Sequence, residues 1–110
     1  MILSSNFSRR YEKVPVSIFK EQEDATKIIV DNVIAVNNEN IANGKKTVLA
    51  LDASSSCIKV YDEFVKAYEN GTLSFKNIVV FSIDEYYPLD RNELQSHYRF
   101  LKEYLFDLVD

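Results

Sequence analysis

The spacing of apolar residues divides the chain into alternating strand-like and helix-like segments. Residues 14–19 (VPVSIF) predict a first strand, with the proline near its start, where a missing N–H is tolerated. From residue 21 to about residue 43 the period becomes helical, with apolar positions at Ala25, Ile28, Ile29, Val33 and Val36. Gly44 follows and predicts the end of this helix. The opening of the chain therefore predicts a strand followed by a helix.

The next segment repeats this arrangement. Residues 47–51 (TVLAL) form a short apolar run that is typical of a central parallel strand buried on both faces. Residues 52–56 (DASSS) predict a turn rich in capping residues. A second helix then ends at Gly71, and its apolar side consists of Ile58, Tyr61, Phe64, Val65 and Tyr68. We expect a second strand and a second helix here.

Residues 77–83 (NIVVFSI) give the clearest strand pattern, rich in β-branched and aromatic residues. Residues 84–90 predict a loop, and a third helix is expected from Arg91 or Asn92 onward. Its apolar stripe consists of Leu94, Tyr98, Leu101, Leu105 and Leu108. The order β-α-β-α-β-α predicts an α/β fold, a three-layer Rossmann-like parallel sheet with helices packed against it.

Composition excludes several classes of function. The 13 basic and 17 acidic residues are well mixed and give a net charge of -4, so neither nucleic-acid nor membrane-surface binding is expected. The single cysteine, Cys57, and the single histidine, His97, can form neither an internal disulfide nor a zinc site of their own. We therefore predict no metal and no cofactor. Residues 1–13 have the character of a polar leader arm rather than a signal peptide, which predicts a cytoplasmic protein.

Ligands of open parallel sheets bind beyond the carboxyl ends of the strands, and acidic residues stand at one of these ends. Asp84 and Glu85 directly follow the predicted third strand, and their side chains should point in opposite directions, so that one enters a cleft. A carboxylate partly shielded from water suits proton abstraction next to a carbonyl group. The alternative is that both residues cap the following turn and face solvent. On spacing alone, this alternative is favoured.

The turn after the second predicted strand offers a possible anion site. Backbone N–H groups at a helix start, together with the hydroxyls of Ser54, Ser55 and Ser56, can bind phosphate. Helix capping is the alternative, and these residues alone favour it because the turn has no glycine. Tyr86 lies on the loop after the third strand, where it can flank a pocket. His97 and Cys57 are interpreted as packing or hydrogen-bonding residues.

The order of residues resembles the glucosamine-6-phosphate deaminase family, which includes galactosamine-6-phosphate isomerases and is related to 6-phosphogluconolactonases. Residues 73–89 (LSFKNIVVFSIDEYYPL) are similar to the family segment in which SFKNV leads through a strand into DEY. Residues 95–100 (QSHYRF) resemble the QSYH stretch that opens the next helix. The resemblance extends from about Val14 to Asp110.

This resemblance implies a reaction and a set of residues. Family members open the sugar ring, move a proton between C2 and C1, and release the C2 amine as ammonia, which leaves fructose 6-phosphate. The resemblance makes Asp84 the general base and Glu85 its catalytic support. It implies a sugar phosphate as the ligand, bound by Ser54, Ser55, Ser56 and Tyr86.

Two departures from the family pattern qualify these expectations. Residues 50–57 (ALDASSSC) stand where the family has a glycine-rich GLATGSTP-like cradle, and Asp52 is new. The GxGxDGH segment that carries the ring-opening histidine should follow well beyond Asp110. Residues 14–110 are therefore expected to be the N-terminal part of a larger enzyme domain, inactive alone, with an apolar sheet edge that favours homo-oligomers. The alternatives are a non-catalytic sugar-phosphate-binding or regulatory domain and a 6-phosphogluconolactonase-like hydrolase.

Overall fold

The computed structural model describes residues 13–110, so the predicted leader arm lies almost entirely outside the described residues. The principal elements are α1 (Gln22–Ala42), β1 (Thr47–Leu51), α2 (Ile58–Glu69), β2 (Ile78–Ser82) and α3 (His97–Tyr104). Short 3-10 turns precede α2 at Ser55–Cys57 and follow α3 at Phe106–Leu108. The alternation of helices and strands confirms the predicted α/β class.

The sheet is parallel, as predicted, and β1 pairs with β2 in register from Thr47 opposite Ile78 to Leu51 opposite Ser82. The predicted bounds of β1 are confirmed, and β2 is one residue shorter at each end than its pattern suggested. One backbone hydrogen bond, from Ile83 N to Leu51 O at 2.9 Å, continues the pairing past β2. The two strands therefore end side by side.

The predicted first strand is wrong. Residues 14–19 form no strand, and the side chains of Val14, Val16 and Ile18 are each at least half exposed. A strand is stabilised by hydrogen bonds to a neighbouring strand, so apolar alternation alone does not produce one. The only strand pairing within residues 13–110 is that of β1 with β2.

The third helix begins later than predicted, at His97 rather than near Asn92. Its N-cap is Ser96, whose hydroxyl accepts a hydrogen bond from Arg99 N at 3.3 Å. Leu94 was assigned to the apolar stripe, but it lies before the cap and is 78% exposed. Leu101 and Leu105 are fully buried as predicted, because they face the core from the helix and its end.

One core joins all three helices. It centres on Tyr61 and Phe64 of α2, and the ring of Phe64 meets that of Phe75 edge to face at 5.9 Å. The other buried apolar members are Val30, Ala67, Leu73, Leu101 and Leu105. Leu51 and Ile78 connect the sheet to this core.

A buried polar network attaches α1 to the sheet. Asn37 is 2% exposed, and its Oδ1 accepts a hydrogen bond from the hydroxyl of Thr47 at 2.8 Å. Asn40 donates to the same hydroxyl at 3.1 Å. These bonds explain why α1 continues through a run of poor helix formers (NNEN) to Ala42. Gly44 then takes a φ of +68°, which suits glycine at the end of a helix.

Within residues 13–110 the sheet is covered by helices on one face only. Thr47, Leu49 and Leu51 face the helices, whereas Val48 is 59% exposed on the opposite face. Phe81, on that same face of β2, is 58% exposed. The three described helices share one core, so none of them is available to cover the second face. β1 is therefore not buried on both sides within the described residues.

Candidate functional site

The candidate site lies where β1 and β2 end. Because parallel strands present their carboxyl ends at the same edge, the loops that leave them begin close together. The serine loop (residues 52–57) connects β1 to α2, and the acidic loop (residues 83–96) connects β2 to α3. Both were predicted from sequence, and the structure brings their starting points together.

Asp84 opens the acidic loop and contacts the imidazole of His97. Its Oδ1 lies 2.6 Å from His97 Nδ1, and its backbone oxygen lies 3.0 Å from the same nitrogen. The hydroxyl of Ser82 also donates to this backbone oxygen, at 2.7 Å. The side chain of Asp84 is 66% exposed, so the expected shielding from water is not formed by residues 13–110. The reason is that this carboxylate contacts the His97 ring at the start of α3 and lies outside the core.

Glu85 points to the N-terminus of α3. Its carboxylate accepts hydrogen bonds from the backbone N of Tyr86 at 2.9 Å, His97 at 3.0 Å and Tyr98 at 3.0 Å. The hydroxyl of Ser96 donates a fourth, at 2.8 Å. These donors, led by the backbone N–H groups of His97 and Tyr98, lower the pKa of Glu85 to about 2. The capping alternative is therefore correct for Glu85, which anchors the acidic loop to α3.

His97 is the residue whose importance the sequence did not reveal. Its ring is 18% exposed, and it lies against the ring of Tyr86 with the ring centres 5.0 Å apart. The backbone oxygen of Asp84, followed by the charge of that residue, raises the pKa of His97. The hydrogen-bonding interpretation of His97 was correct, but its partner was not identified. The sequence offered no direct signal, because the predicted helix start near Asn92 placed His97 inside the helix rather than at its first position.

The serine loop is held mainly by bonds within itself. Ser54 Oγ and Ser56 Oγ lie 2.9 Å apart, and the hydroxyl of Ser54 lies 3.5 Å from Cys57 Sγ. Neither Ser54 nor Cys57, the residues before the 3-10 turn and α2, makes a side-chain capping bond. Capping, the interpretation favoured from sequence, is therefore wrong for Ser54. Ser55 and Ser56 are exposed, so their hydroxyls are accessible to a ligand.

The start of the serine loop is fixed by a buried tyrosine. Tyr61 is 1% exposed, and its hydroxyl donates to the backbone oxygen of Asp52. Burial of the ring raises the pKa of Tyr61, so the hydroxyl remains a donor at neutral pH. Asp52 itself is half-buried. The expected capping bond from its carboxylate is not formed within residues 13–110.

A cavity of about 540 Å³ joins the two loops. Ala53 supplies the wall on the side of the serine loop, and Tyr86 and His97 supply the wall on the side of the acidic loop. The remaining wall consists of Leu89, Leu94, Gln95, Ser96 and Phe100. Tyr86 therefore lies at the cavity as predicted, and Asp84 reaches it only through His97. Ser54, Ser55 and Ser56 are adjacent to Ala53 but are not part of the wall.

Two searches of the described residues gave negative results. Across residues 13–110, no three histidine, cysteine, aspartate or glutamate side chains are grouped so that they could hold a metal ion. None of the helices in this part of the chain is long and apolar enough to cross a membrane.

Comparison with known proteins supports the family resemblance. A glucosamine-6-phosphate deaminase-like protein of Bacteroides thetaiotaomicron is 36% identical over 101 residues, which is 92% of this chain and 15% of that protein. A glucosamine-6-phosphate deaminase of Mycoplasma mycoides subsp. mycoides is 34% identical over 74% of this chain and 34% of its own length. A glucosamine-6-phosphate isomerase of Candida albicans is 33% identical over 86% of this chain and 37% of its own length. The chain thus spans between 15% and 37% of these relatives.

The fold has a counterpart among solved structures. The crystal structure of devB protein matches with a TM-score of 0.69 and 17% sequence identity, over 84% of this chain and 37% of that one. At this identity the match shows the fold alone. No protein-family model matches the chain. The curated relatives cover most of these 110 residues, and the predicted relationship to the glucosamine-6-phosphate deaminase and isomerase family is confirmed over that part of the chain.

Proposed function

We propose that this chain forms the N-terminal part of a sugar-phosphate isomerase/deaminase domain in which Asp84 is the proton-abstracting base. The observation that carries the proposal is the place of Asp84. It lies two residues after the end of the parallel strand β2, and its carboxylate lies 2.6 Å from a histidine that lines the cavity between the two loops. The relatives named as deaminases and an isomerase supply the reaction class.

The proposed chemistry begins with an open-chain amino sugar phosphate. Asp84 takes the proton from C2, and the same proton equivalent is returned to C1 as the C1 carbonyl becomes an alcohol. The C2 amine becomes an imine in this step. Water then adds to C2 and ammonia leaves, so that one water is consumed for each ammonia released and the product is fructose 6-phosphate. A carboxylate positioned next to the carbon is the group that this transfer requires.

Each of the other candidate residues receives a definite role in this proposal. Glu85 supports the site by anchoring the acidic loop, since its carboxylate is already bound by four donors. We assign the exposed hydroxyls of Ser55 and Ser56, next to the cavity wall at Ala53, to the phosphate group, and Tyr86 to the sugar. The assignments to sugar phosphate and to the cytoplasm both belong to this proposal.

Ligand binding and turnover test the proposal separately. We expect calorimetric titration of the 110-residue chain to detect glucosamine 6-phosphate and to give a much weaker signal with glucosamine, which lacks the phosphate. We expect no release of ammonia from glucosamine 6-phosphate by this chain alone, because ring opening is assigned to a segment beyond Asp110. Equal binding of both sugars would contradict the phosphate role of the serines, and sustained ammonia release would contradict the proposed division of the site.

A non-catalytic sugar-phosphate-binding domain is the second candidate, and Asp52 favours it. If its carboxylate lay about 4 Å from a bound phosphate, repulsion at an effective dielectric of 20 would cost about 4 kcal/mol. That would weaken binding by nearly three orders of magnitude. Asp52→Asn removes this charge while retaining the backbone oxygen that Tyr61 binds. Strongly tighter binding by the variant would identify a weakened phosphate site, whereas unchanged binding would show that Asp52 points away from the ligand.

A further inference from the structure

His97 contacts Asp84 at two points through one ring nitrogen. Nδ1 lies 2.6 Å from the carboxylate oxygen and 3.0 Å from the backbone oxygen of Asp84. A backbone carbonyl oxygen can only accept a hydrogen bond, so Nδ1 must carry the hydrogen. The neutral form of His97 is therefore the Nδ1–H tautomer, which leaves Nε2 unprotonated until the ring becomes charged.

The backbone of His97 binds the second acidic residue. Its N–H donates to Glu85 at 3.0 Å, and Ser96, one position earlier, donates its hydroxyl to the same carboxylate at 2.8 Å. The first turn of α3 is thus attached to both acidic residues that follow β2. This double attachment fixes the direction in which the imidazole leaves the helix, and it therefore keeps the ring next to Asp84.

We propose that His97 is a positioning residue that holds the Asp84 carboxylate at the rim of the cavity. The proposal rests on the proposed function only for the role given to Asp84. The contacts between the two residues stand whatever the reaction is.

The groups that face His97 give the direction of the pH effect. Asp84 and Glu85 of the acidic loop are the negative charges near the ring, and Tyr86 packs against it. On the opposite side of the cavity, the described wall contributes Ala53, which is uncharged. The pKa of His97 is raised from its ordinary value of 6.5 because its partners favour the charged ring. Protonated His97 forms an ion pair with Asp84, whereas neutral His97 still orients the carboxylate through its Nδ1–H group.

The chain contains a single histidine, so nuclear magnetic resonance can follow this ring without ambiguity. In the unmodified chain we expect a titration midpoint above 6.5 and, at higher pH, ¹⁵N shifts of the Nδ1–H tautomer. In Asp84→Asn we expect the midpoint to move down, because the negative charge is gone although the backbone oxygen stays. Asp90→Asn is the matched control: Asp90 lies on the same loop, accepts from Asn92 N at 2.8 Å, and should leave the midpoint unchanged.

Two results would overturn the proposal. One is an Asp84→Asn midpoint equal to that of the unmodified chain and of Asp90→Asn. The other is the finding, from ¹⁵N shifts at high pH, that His97 of the unmodified chain is the Nε2–H tautomer. This measurement needs no variant, so it decides the question even if Asp84→Asn does not fold. Neither experiment contains a sugar phosphate, so a failure here is distinguishable from a failure of the proposed function. If the titration midpoint and tautomer of His97 are as expected but the chain binds no glucosamine 6-phosphate, the contact between His97 and Asp84 is supported and the assigned reaction is not.

Discussion

The serine loop and the acidic loop leave the same edge of the sheet but are held in different ways. The acidic loop is tied to α3 by the contacts of Asp84 and Glu85, and Arg99 adds a bond from its guanidinium to Asn92 O at 3.0 Å. The serine loop is fixed at its start by Tyr61 and otherwise bonds mainly within itself. The comparison indicates that one loop is preorganised by its contacts with α3, while the other offers exposed hydroxyls that a ligand can order.

The largest effect on stability is expected where the serine loop meets the core. Tyr61→Phe removes the hydroxyl that donates to Asp52 O and leaves a buried acceptor without this partner. The free energy of unfolding should fall by about 1–3 kcal/mol. Urea denaturation followed by circular dichroism measures the change. An unchanged free energy of unfolding would show that water replaces the hydroxyl and that this loop is not anchored through Tyr61.

The acidic loop should show its anchoring most clearly in acid. The pKa of Glu85 is lowered from 4.5 to about 2 in the folded chain, so its stabilising contribution is present above pH 4.5 and is lost as pH falls toward 2. Glu85→Gln should therefore destabilise the chain at pH 6 and flatten the decline of stability in this acidic range. Thermal unfolding at several pH values measures both effects. Glu93→Gln, on the same loop, serves as the control, and parallel pH curves for Glu85→Gln and the unmodified chain would contradict the anchoring role.

His97 gives the acidic loop a second, opposite pH dependence near neutrality. Its folded-state pKa is raised above 6.5, so the stability it contributes is complete below pH 6.5 and is lost as pH rises through the folded-state value. His97→Gln should remove this decline while leaving the acid-range behaviour of Glu85 in place. The measurement is the melting temperature in buffers from pH 6 to pH 9. A decline that persists in His97→Gln would have to come from another group.

The smallest effect is expected inside the serine loop. Ser56→Ala removes the hydroxyl that lies 2.9 Å from Ser54 Oγ, at an exposed position. Such a surface change should alter the free energy of unfolding by no more than about 0.5 kcal/mol. If Ser56 binds phosphate, however, the affinity for glucosamine 6-phosphate should fall. A stability loss as large as that of Glu85→Gln at pH 6 would mean that the two loops are equally preorganised and would remove the contrast.

The sequence predicted those parts of the fold that local pattern determines. Thr47–Leu51 was predicted correctly as β1, because a short apolar run between polar residues is typical of a buried strand. The first two helices also ended near Gly44 and Gly71 as expected. The strand predicted at residues 14–19 was wrong because a strand requires a neighbouring strand to bond with, and a local pattern cannot supply one. The predicted start of α3 was wrong because Ser96 and Glu85 together fix the beginning of the helix. The contact between them crosses the acidic loop, so it forms only when the chain folds.

The residues of the candidate site show the same distinction between local pattern and contacts formed on folding. Asp84 and Tyr86 were chosen because ligands bind at the ends of parallel strands and the family resemblance falls on the same segment, and their roles stay predictions. The role of His97 was missed because it depends on a contact across 13 residues, whose geometry is set by the capping of α3. The resemblance made Glu85 the catalytic support of Asp84, and in the structure its side chain contacts the N-terminus of α3, so this supporting role stays a prediction.

The most direct test of the account is to map glucosamine 6-phosphate onto the ¹⁵N-labelled chain by chemical-shift perturbation. The account predicts that shifts concentrate at Ala53 and Ser55 on one loop and at Tyr86 and His97 on the other, with little change in the charged cleft lined by Glu23, Lys59 and Glu63. Shifts confined to that cleft, or none at saturating sugar phosphate, would contradict the placement of the site at the ends of β1 and β2.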